Sequence, residues 1–234
     1  MTAAVRFWAV IPAAGTGSRM LADTPKQYLS INGRHIIEYS LVAFCGHPDI
    51  AGVVVAIAAG DKLWPELPSA RNPKITTTAG GAVRCQSVLN GLQTLATMAD
   101  TEDWVLVHDA ARPCIRTEDI GHLITTLRDH PVGGVLALPV RDTMKRADIE
   151  QGDGQHVSET INRQGLWHAL TPQMFRLGRL TRALEEAIAQ GQLVTDESQA
   201  MELAGYRPKL VEGRVENIKI TRPSDLRLAE LYLS

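Results

Sequence analysis

The sequence predicts an α/β fold with a doubly wound, mostly parallel sheet, and three observations carry that expectation. Short apolar or β-branched runs bounded by Gly, Pro or Asp recur at Phe7–Ile11, Gly52–Ala58, Lys74–Thr78, Trp104–His108 and Gly134–Leu138, the pattern of strands buried on both faces. Helical patterns separate them at His35–Phe44, Val83–Met98 and Thr117–Asp129, and such alternation builds a sheet with helices crossing both faces. The first run passes directly into Pro12-Ala13-Ala14-Gly15-Thr16-Gly17-Ser18-Arg19, a small-residue loop of the kind that brings backbone N–H groups close to phosphates.

Each later element has its own reason. In the third helical stretch Thr117 is placed to cap the first turn, and Ile120, Leu123, Ile124 and Leu127 fall on one face. The segment Pro139 to Arg163 breaks the rhythm: it is polar and carries Gly152-Asp153-Gly154 as a turn signal between Thr143–Arg146 and Val157–Ile161. A protruding β-hairpin arm is expected there. Leu177–Ala189 reads as an amphipathic helix, Asp196–Leu203 as another, Asn217–Ile220 as a strand and Pro223–Leu233 as a closing helix. The whole is expected to be one Rossmann-like domain over residues 1–234, with 139–163 as the arm. A long isolated hairpin is marginal in water, so the arm is expected to pack on a second copy, giving a homodimer.

Composition narrows the function. With 234 residues the chain can bury a sizeable core, and a formal net charge of −2 leaves no global footprint for a nucleic-acid polymer. Cys45, Cys85 and Cys114 are far apart, odd in number and without a Cys-x-x-Cys pair, which argues against a structural zinc or a disulfide framework. No apolar stretch is long enough to suggest a membrane span. The opening Met1–Arg6 lacks an export-signal pattern, because the Gly-rich loop interrupts the apolar run. A reduced cytoplasm is the expected setting.

Ligands of an open α/β sheet bind beyond the carboxyl ends of its strands. After the first run come Gly15, Gly17, Arg19 and Lys26; after the third, Gly80, Gly81, Arg84 and Ser87; after the fourth, His108-Asp109-Ala110-Ala111-Arg112-Pro113. Three loops therefore converge on one crevice. Arg19 and Lys26 supply positive charge suited to a triphosphate, although the glycines alone also suit a tight strand-to-helix turn. A dinucleotide fingerprint requires a third glycine where Met20 stands, and no Gly-Lys-Ser/Thr of a Walker A loop follows. Asp109 can help hold Mg²⁺ or a substrate hydroxyl, or can simply partner Arg112. Lys219 also suits the outward face of an edge strand, Thr195–Ser198 an ordinary capped helix start, and Arg146 and Arg163 solvated arm charge.

Taken in order, Ala13–Met20, Pro25-Lys26-Gln27-Tyr28, Gly80-Gly81 with Arg84 and Ser87-Val88, Val107–Pro113, Asp142-Thr143-Met144-Lys145, Thr171-Pro172-Gln173, Thr195-Asp196-Glu197 and Asn217–Thr221 resemble the 2-C-methyl-D-erythritol 4-phosphate cytidylyltransferases of the non-mevalonate isoprenoid pathway. The resemblance covers nearly the whole chain. It implies that Arg19 and Lys26 stabilise charge on the α-phosphate of CTP, while Arg163 and Lys219 position the acceptor phosphate. Asp109 and Thr143 would bind acceptor groups, and Thr171 and Thr195 would line the site. Ala13, Ala14, Gly81 and Ser87 would read cytosine, Gly15, Thr16 and Gly17 would cradle the nucleotide, and Arg84 would close the base pocket. Mg²⁺ is the implied cofactor, held mainly by phosphates with Asp109 as the candidate protein ligand, and Thr143 and Arg163 would reach into the partner's site. The alternatives are a cytidylyltransferase for ribitol 5-phosphate, a non-catalytic nucleotide sensor, and, more remotely, a dehydrogenase.

Overall fold

The structure is a computed structural model that describes residues 5–15, 24–148 and 156–234. Its frame is a seven-stranded sheet. In chain order the elements are β1 (Phe7–Pro12), a small pair β2 (Ser30–Ile31) and β3 (Arg34–His35), α1 (Ile36–Gly46), β4 (Ile50–Ile57), β5 (Ile75–Ala79), α2 (Arg84–Leu95) and β6 (Trp104–Val107). There follow α3 (Thr117–Leu127), β7 (Gly133–Pro139), β8 (Met144–Ala147), β9 (Val157–Ile161), β10 (Trp167–Arg176), α4 (Leu177–Ala189), α5 (Glu197–Leu203), β11 (Lys209–Glu212) and α6 (Pro223–Tyr232).

The sheet order is β11-β7-β10-β6-β1-β4-β5, and β10 alone runs antiparallel to its neighbours. Strand period sorts β1 onto both faces: Phe7, Ala9 and Ile11 join one core with α1 and α3, while Trp8 and Val10 join the other with α2, α4 and α5. Helix α1 has no side-chain cap at its N-terminus. Ile37, Leu41 and Phe44, spaced for one face, are buried on the sheet, and at about 1.5–3 kcal/mol for each fully buried side chain that packing outweighs a missing cap. A third, smaller cluster seats Ala229 of α6 against Ile31, Ile36, Cys114 and Ile220. Because β1 has β4 on one side and β6 on the other, the chain winds outward in two directions from β1, and the switch point lies between β1 and β6.

Several expectations need correction. The first residue of α3 is Thr117, and its N-cap is Arg116, whose backbone N–H donates to Asp119 at 3.0 Å. Asn217–Ile220 is not a strand; it is an irregular segment held by Ile220 N donating to Ala111 O at 2.9 Å. Besides the two-residue strands β2 and β3, two strands of the main sheet escaped the sequence reading. In β10, Pro172 and the polar Gln173 mask an element whose pairing with β7 shifts register between Ala169 and Gln173. β11 is a four-residue edge with Lys209 and Glu212 at its ends. The hairpin arm is present as β8 paired antiparallel with β9, and its turn Gly152-Asp153-Gly154 lies outside the described residues.

Candidate active site

A cleft of about 400 Å³ opens at the switch point, walled by the ends of β1 and β6 and by the loop between β5 and α2. Its floor is the chain just past β1. Ala13 N donates to Ala56 O at 2.7 Å, and Gln27 Nε2 donates to Ala13 O at 2.6 Å and Gly15 O at 3.1 Å. Gln27 is buried and sits in the short helical turn Lys26–Tyr28, so the residue after Lys26 fastens the loop after β1. Thr16, Gly17 and Arg19 lie outside the described residues.

The glycine-lined wall is set by close approach. A Cβ on Gly80 would come within 2.2 Å of the Ala14 Cβ, and one on Gly81 within 2.4 Å of the Gln86 Cβ, so neither position accepts a side chain without moving its neighbours. Gly81 N donates to Ser87 Oγ at 3.0 Å and Ala82 N to Gln86 Oε1 at 3.1 Å. These bonds shape the loop before α2. Ala13, Ala14, Gly15, Gly81 and Ser87 all line the cleft, as the sequence led one to expect.

The same cleft holds a charged cluster centred on Asp109. Arg84 Nε is 2.9 Å from Oδ1; Lys219 Nζ is 2.8 Å and Arg112 Nε 3.6 Å from Oδ2. Burial alone would raise this carboxyl, but Arg84, Lys219 and Arg112 together hold it well below the usual carboxylate range. Arg84 reaches further, with NH1 2.7 Å and NH2 3.1 Å from the two oxygens of Glu197. Lys26 and Lys219 also line the cleft, and Lys26 Nζ donates to Ile220 O at 3.4 Å, the residue after Lys219. Cations from opposite ends of the chain thus meet.

Behind Asp109 a buried relay fixes the loop after β6. His108 Nε2 lies 3.2 Å from Arg112 O, and a carbonyl only accepts, so the proton sits on Nε2. Nδ1 then accepts from Thr171 Oγ1 at 3.0 Å, and Thr171 Oγ1 accepts from Asp109 N at 3.1 Å. Burial pushes His108 down to about 4, so the ring is neutral. Arg112 NH1 donates to Asn217 O at 2.7 Å and Asn217 Nδ2 to Thr171 O at 2.7 Å, tying the Lys219 segment to the same loop.

Not every expected residue lies here. Thr171 is buried behind Asp109 and does not line the cleft, and Thr195 is exposed, bonded through N and Oγ1 to Gln199 Oε1. Their places follow from backbone roles: Thr171 sits in β10, and Thr195 precedes the cap of α5. Thr143 and Arg163 are exposed on the arm, where the Arg163 guanidinium donates to Arg141 O. Arg84 faces two carboxylates as well as the cleft, and Asp109 does partner Arg112. Gln27, Arg112, Asn217 and Glu197 were not singled out as site residues beforehand. Each stood inside a quoted motif: Gln27 in Pro25-Lys26-Gln27-Tyr28, Arg112 in Val107–Pro113, Glu197 in Thr195-Asp196-Glu197 and Asn217 in Asn217–Thr221.

Among the described residues Asp109 is the one carboxylate lining the cleft, and no group of three or more His, Cys, Asp or Glu stands ready to hold a metal. No helix among them is long and apolar enough to cross a membrane.

Comparison with known proteins shows the family. The family model described as IspD: 2-C-methyl-D-erythritol 4-phosphate cytidylyltransferase matches residues 7–234. A protein of that name from Pseudomonas putida (strain GB-1) is 56% identical over 221 residues, covering 94% of this chain and 92% of its own. Another from Vibrio parahaemolyticus is 53% identical over 226 residues, covering 97% and 94%. A crystal structure described as 4-diphosphocytidyl-2C-methyl-D-erythritol synthase matches with a TM-score of 0.84 at 36% identity, covering 98% of this chain and 99% of that one. The Francisella tularensis 2-C-methyl-D-erythritol 4-phosphate cytidylyltransferase gives 0.82 at 36%, covering 97% and 99%. This chain, with its glycine-walled cleft and its lysines from both ends of the sequence, belongs to the 2-C-methyl-D-erythritol 4-phosphate cytidylyltransferase family.

Proposed function

We propose that this chain transfers CMP from CTP to 2-C-methyl-D-erythritol 4-phosphate, giving 4-diphosphocytidyl-2-C-methyl-D-erythritol and pyrophosphate in isoprenoid precursor biosynthesis. The observation that carries the reading is that Lys26 and Lys219 line one cleft together with Ala13, Ala14 and Gly81. An acceptor phosphate oxygen attacks the α-phosphorus in line, the bond to the bridging oxygen breaks, and pyrophosphate leaves. No general base is required, because a phosphate monoester with a second pKa of about 6 is largely dianionic near neutrality. The difficulty is bringing two anions together, and fixed cations answer it.

The roles follow from position. Lys26, beside the loop after β1, meets charge developing on the α-phosphate, with Arg19 as its partner in that task. Lys219 receives the acceptor phosphate, and Asp109 holds Lys219 in place and offers its carboxylate to acceptor hydroxyls. Backbone groups around Ala13, Ala14 and Gly81, with Ser87 behind them, read cytosine. Thr143 and Arg163 leave their own body on the arm, and they serve the cleft of a second copy in a homodimer.

A magnesium ion, if bound, would supply positive charge against the phosphates. Asp109 already carries three cations, so it fits as a magnesium ligand only in exchange for one of them, and the ion is proposed to be held mainly by the triphosphate. The test is pyrophosphate release from CTP with a panel of polyol phosphates, with and without magnesium. Methylerythritol phosphate should be the best acceptor and CTP should exceed UTP and GTP. Better turnover with ribitol 5-phosphate, or CTP binding without pyrophosphate release, would replace this reading.

A further inference from the structure

Glu197 is fully buried, yet both its oxygens are spent on a single side chain, Arg84. Its side chain is 1% exposed, against 26% for Arg84, which lines the cleft. Glu197 therefore cannot touch a ligand there except through Arg84. A buried ion pair is a poor way to gain stability, since well-packed apolar residues of similar volume do as well or better. What a two-pronged carboxylate gives a guanidinium is a fixed plane and direction.

The surroundings show that the carboxylate is itself held rigidly. Glu197 is the first residue of α5, whose cap Asp196 accepts from Gln199 N at 2.9 Å. Gln173 of β10 locks that turn from below, donating through Nε2 to Asp196 Oδ2 at 2.9 Å and accepting from Ser198 N at 2.7 Å. Two residues earlier in β10, Thr171 accepts from Asp109 N, and Asp109 Oδ1 accepts from Arg84 Nε at 2.9 Å. Asp109, Arg84, Glu197, Gln173 and Thr171 thus close a ring that fastens the first residue of α2 to the end of β6.

We propose that Glu197 is a positioning residue for the nucleotide: it fixes the Arg84 guanidinium at the mouth of the glycine-walled loop, and CTP affinity depends on that placement. The inference rests on the cleft being the CTP site. Glu197 acts chiefly on the nucleotide side: it bonds Arg84 directly and reaches the acceptor-side Lys219 only through Arg84 and Asp109, while the Arg112–Asn217 contact also holds the Lys219 segment.

The experiment uses the full chain and measures CTP binding by calorimetry without acceptor, then kcat and both KM values. Glu197→Gln keeps the shape and removes the charge; it should weaken CTP binding and raise the CTP KM about tenfold, leaving the acceptor KM within about twofold. In an Arg84→Met background the same substitution should add less than about a twofold change, since the group it positions is gone. Glu197→Asp keeps the charge but cannot reach both guanidinium nitrogens, and it should weaken CTP binding in the same direction should the glutamine variant not fold. Unchanged CTP affinity in a folded Glu197 variant overturns the proposal, as do Glu197 and Arg84 effects that multiply, or an equal rise in both KM values. Failure of the wild-type chain to release pyrophosphate would instead overturn the function on which the inference rests.

Discussion

Lys219 Nζ lies 2.8 Å from Asp109 Oδ2, joining the irregular segment before α6 to the loop after β6. Asp109 is buried and has Arg84 and Arg112 besides, whereas the Lys219 side chain is 35% exposed. The two members of the pair therefore differ in what their loss does. Lys219→Met leaves Asp109 with two cations and should cost little stability, within about 1 kcal/mol for a partly exposed pair. Turnover should fall by about a hundredfold or more, since an anion-positioning charge is lost. Asp109→Asn removes the anion that three cations share and leaves the buried Arg112 without its carboxylate partner, so it should lower Tm as well as activity. Thermal melts and steady-state rates on both variants check this, and equal Tm losses would show that Lys219 is chiefly structural.

Lys26→Ala should lower turnover far more than CTP affinity. Its amine lines the cleft at the loop after β1, and a donor aimed at transition-state charge is worth about 2.7–4 kcal/mol. Binding of CTP by titration should change only a few-fold, while kcat drops. A variant with normal kcat and weakened CTP binding would make Lys26 a ground-state contact instead.

The neutral His108 makes stability depend on pH in a known direction. Its folded pKa is pushed down to about 4 by burial, below the 6.5 of an unperturbed imidazole. Between these values the unfolded chain binds a proton that the folded chain does not, so stability is full above about pH 6.5 and is lost as pH falls toward about 4. The contribution amounts to about 2 kcal/mol between about pH 7.5 and pH 5. His47 and His130 are also lowered by burial and add slopes of the same sign. The difference between wild type and His108→Gln isolates this residue: the variant should lose less stability on acidification, by denaturant unfolding at the two pH values. Parallel losses in both proteins would show that His108 is not the linked group.

The sequence made the buried parallel strands, though not the short edge strand β11, and the loops beyond them legible, because a buried strand leaves a continuous apolar run and a phosphate loop leaves glycines. Phe7–Ile11 and Gly80-Gly81 are of that kind. It concealed β10 because Thr171, Pro172 and Gln173 are polar or imino residues inside the sheet, chosen for what they bond: Thr171 for Asp109 and His108, Gln173 for the turn at α5. The pairing of Glu197 was hidden although its motif was visible, since an acid in the first turn of a helix is ordinary and its partner Arg84 lies 113 residues away. Family resemblance placed Thr171 and Thr195 at the site, whereas the structure puts one behind the cleft and the other on its outside. Lys219, which the resemblance set at the acceptor phosphate and which also suited an edge strand, joins the charge cluster on Asp109 because Arg112 and Ala111 pin its segment.

The arm carries the last prediction. β8 and β9 are mostly exposed, with Val157 62% exposed, and a two-stranded hairpin by itself is marginally stable at best. Thr143 and Arg163 sit at its base on the surface, away from the residues lining their own cleft. A homodimer in which each arm serves the other chain's site accounts for both facts. Chains carrying Arg163→Ala and chains carrying Lys26→Ala should each be nearly inactive. After subunit exchange, a mixed dimer should hold one site with both defects and one with neither, restoring up to about half the wild-type rate per mixed dimer, because defects on different chains then no longer share every site. Exchange would be followed with differently tagged chains, and activity measured as pyrophosphate release. Proven exchange without recovered activity would place Arg163 in its own chain's chemistry and end the shared-site proposal.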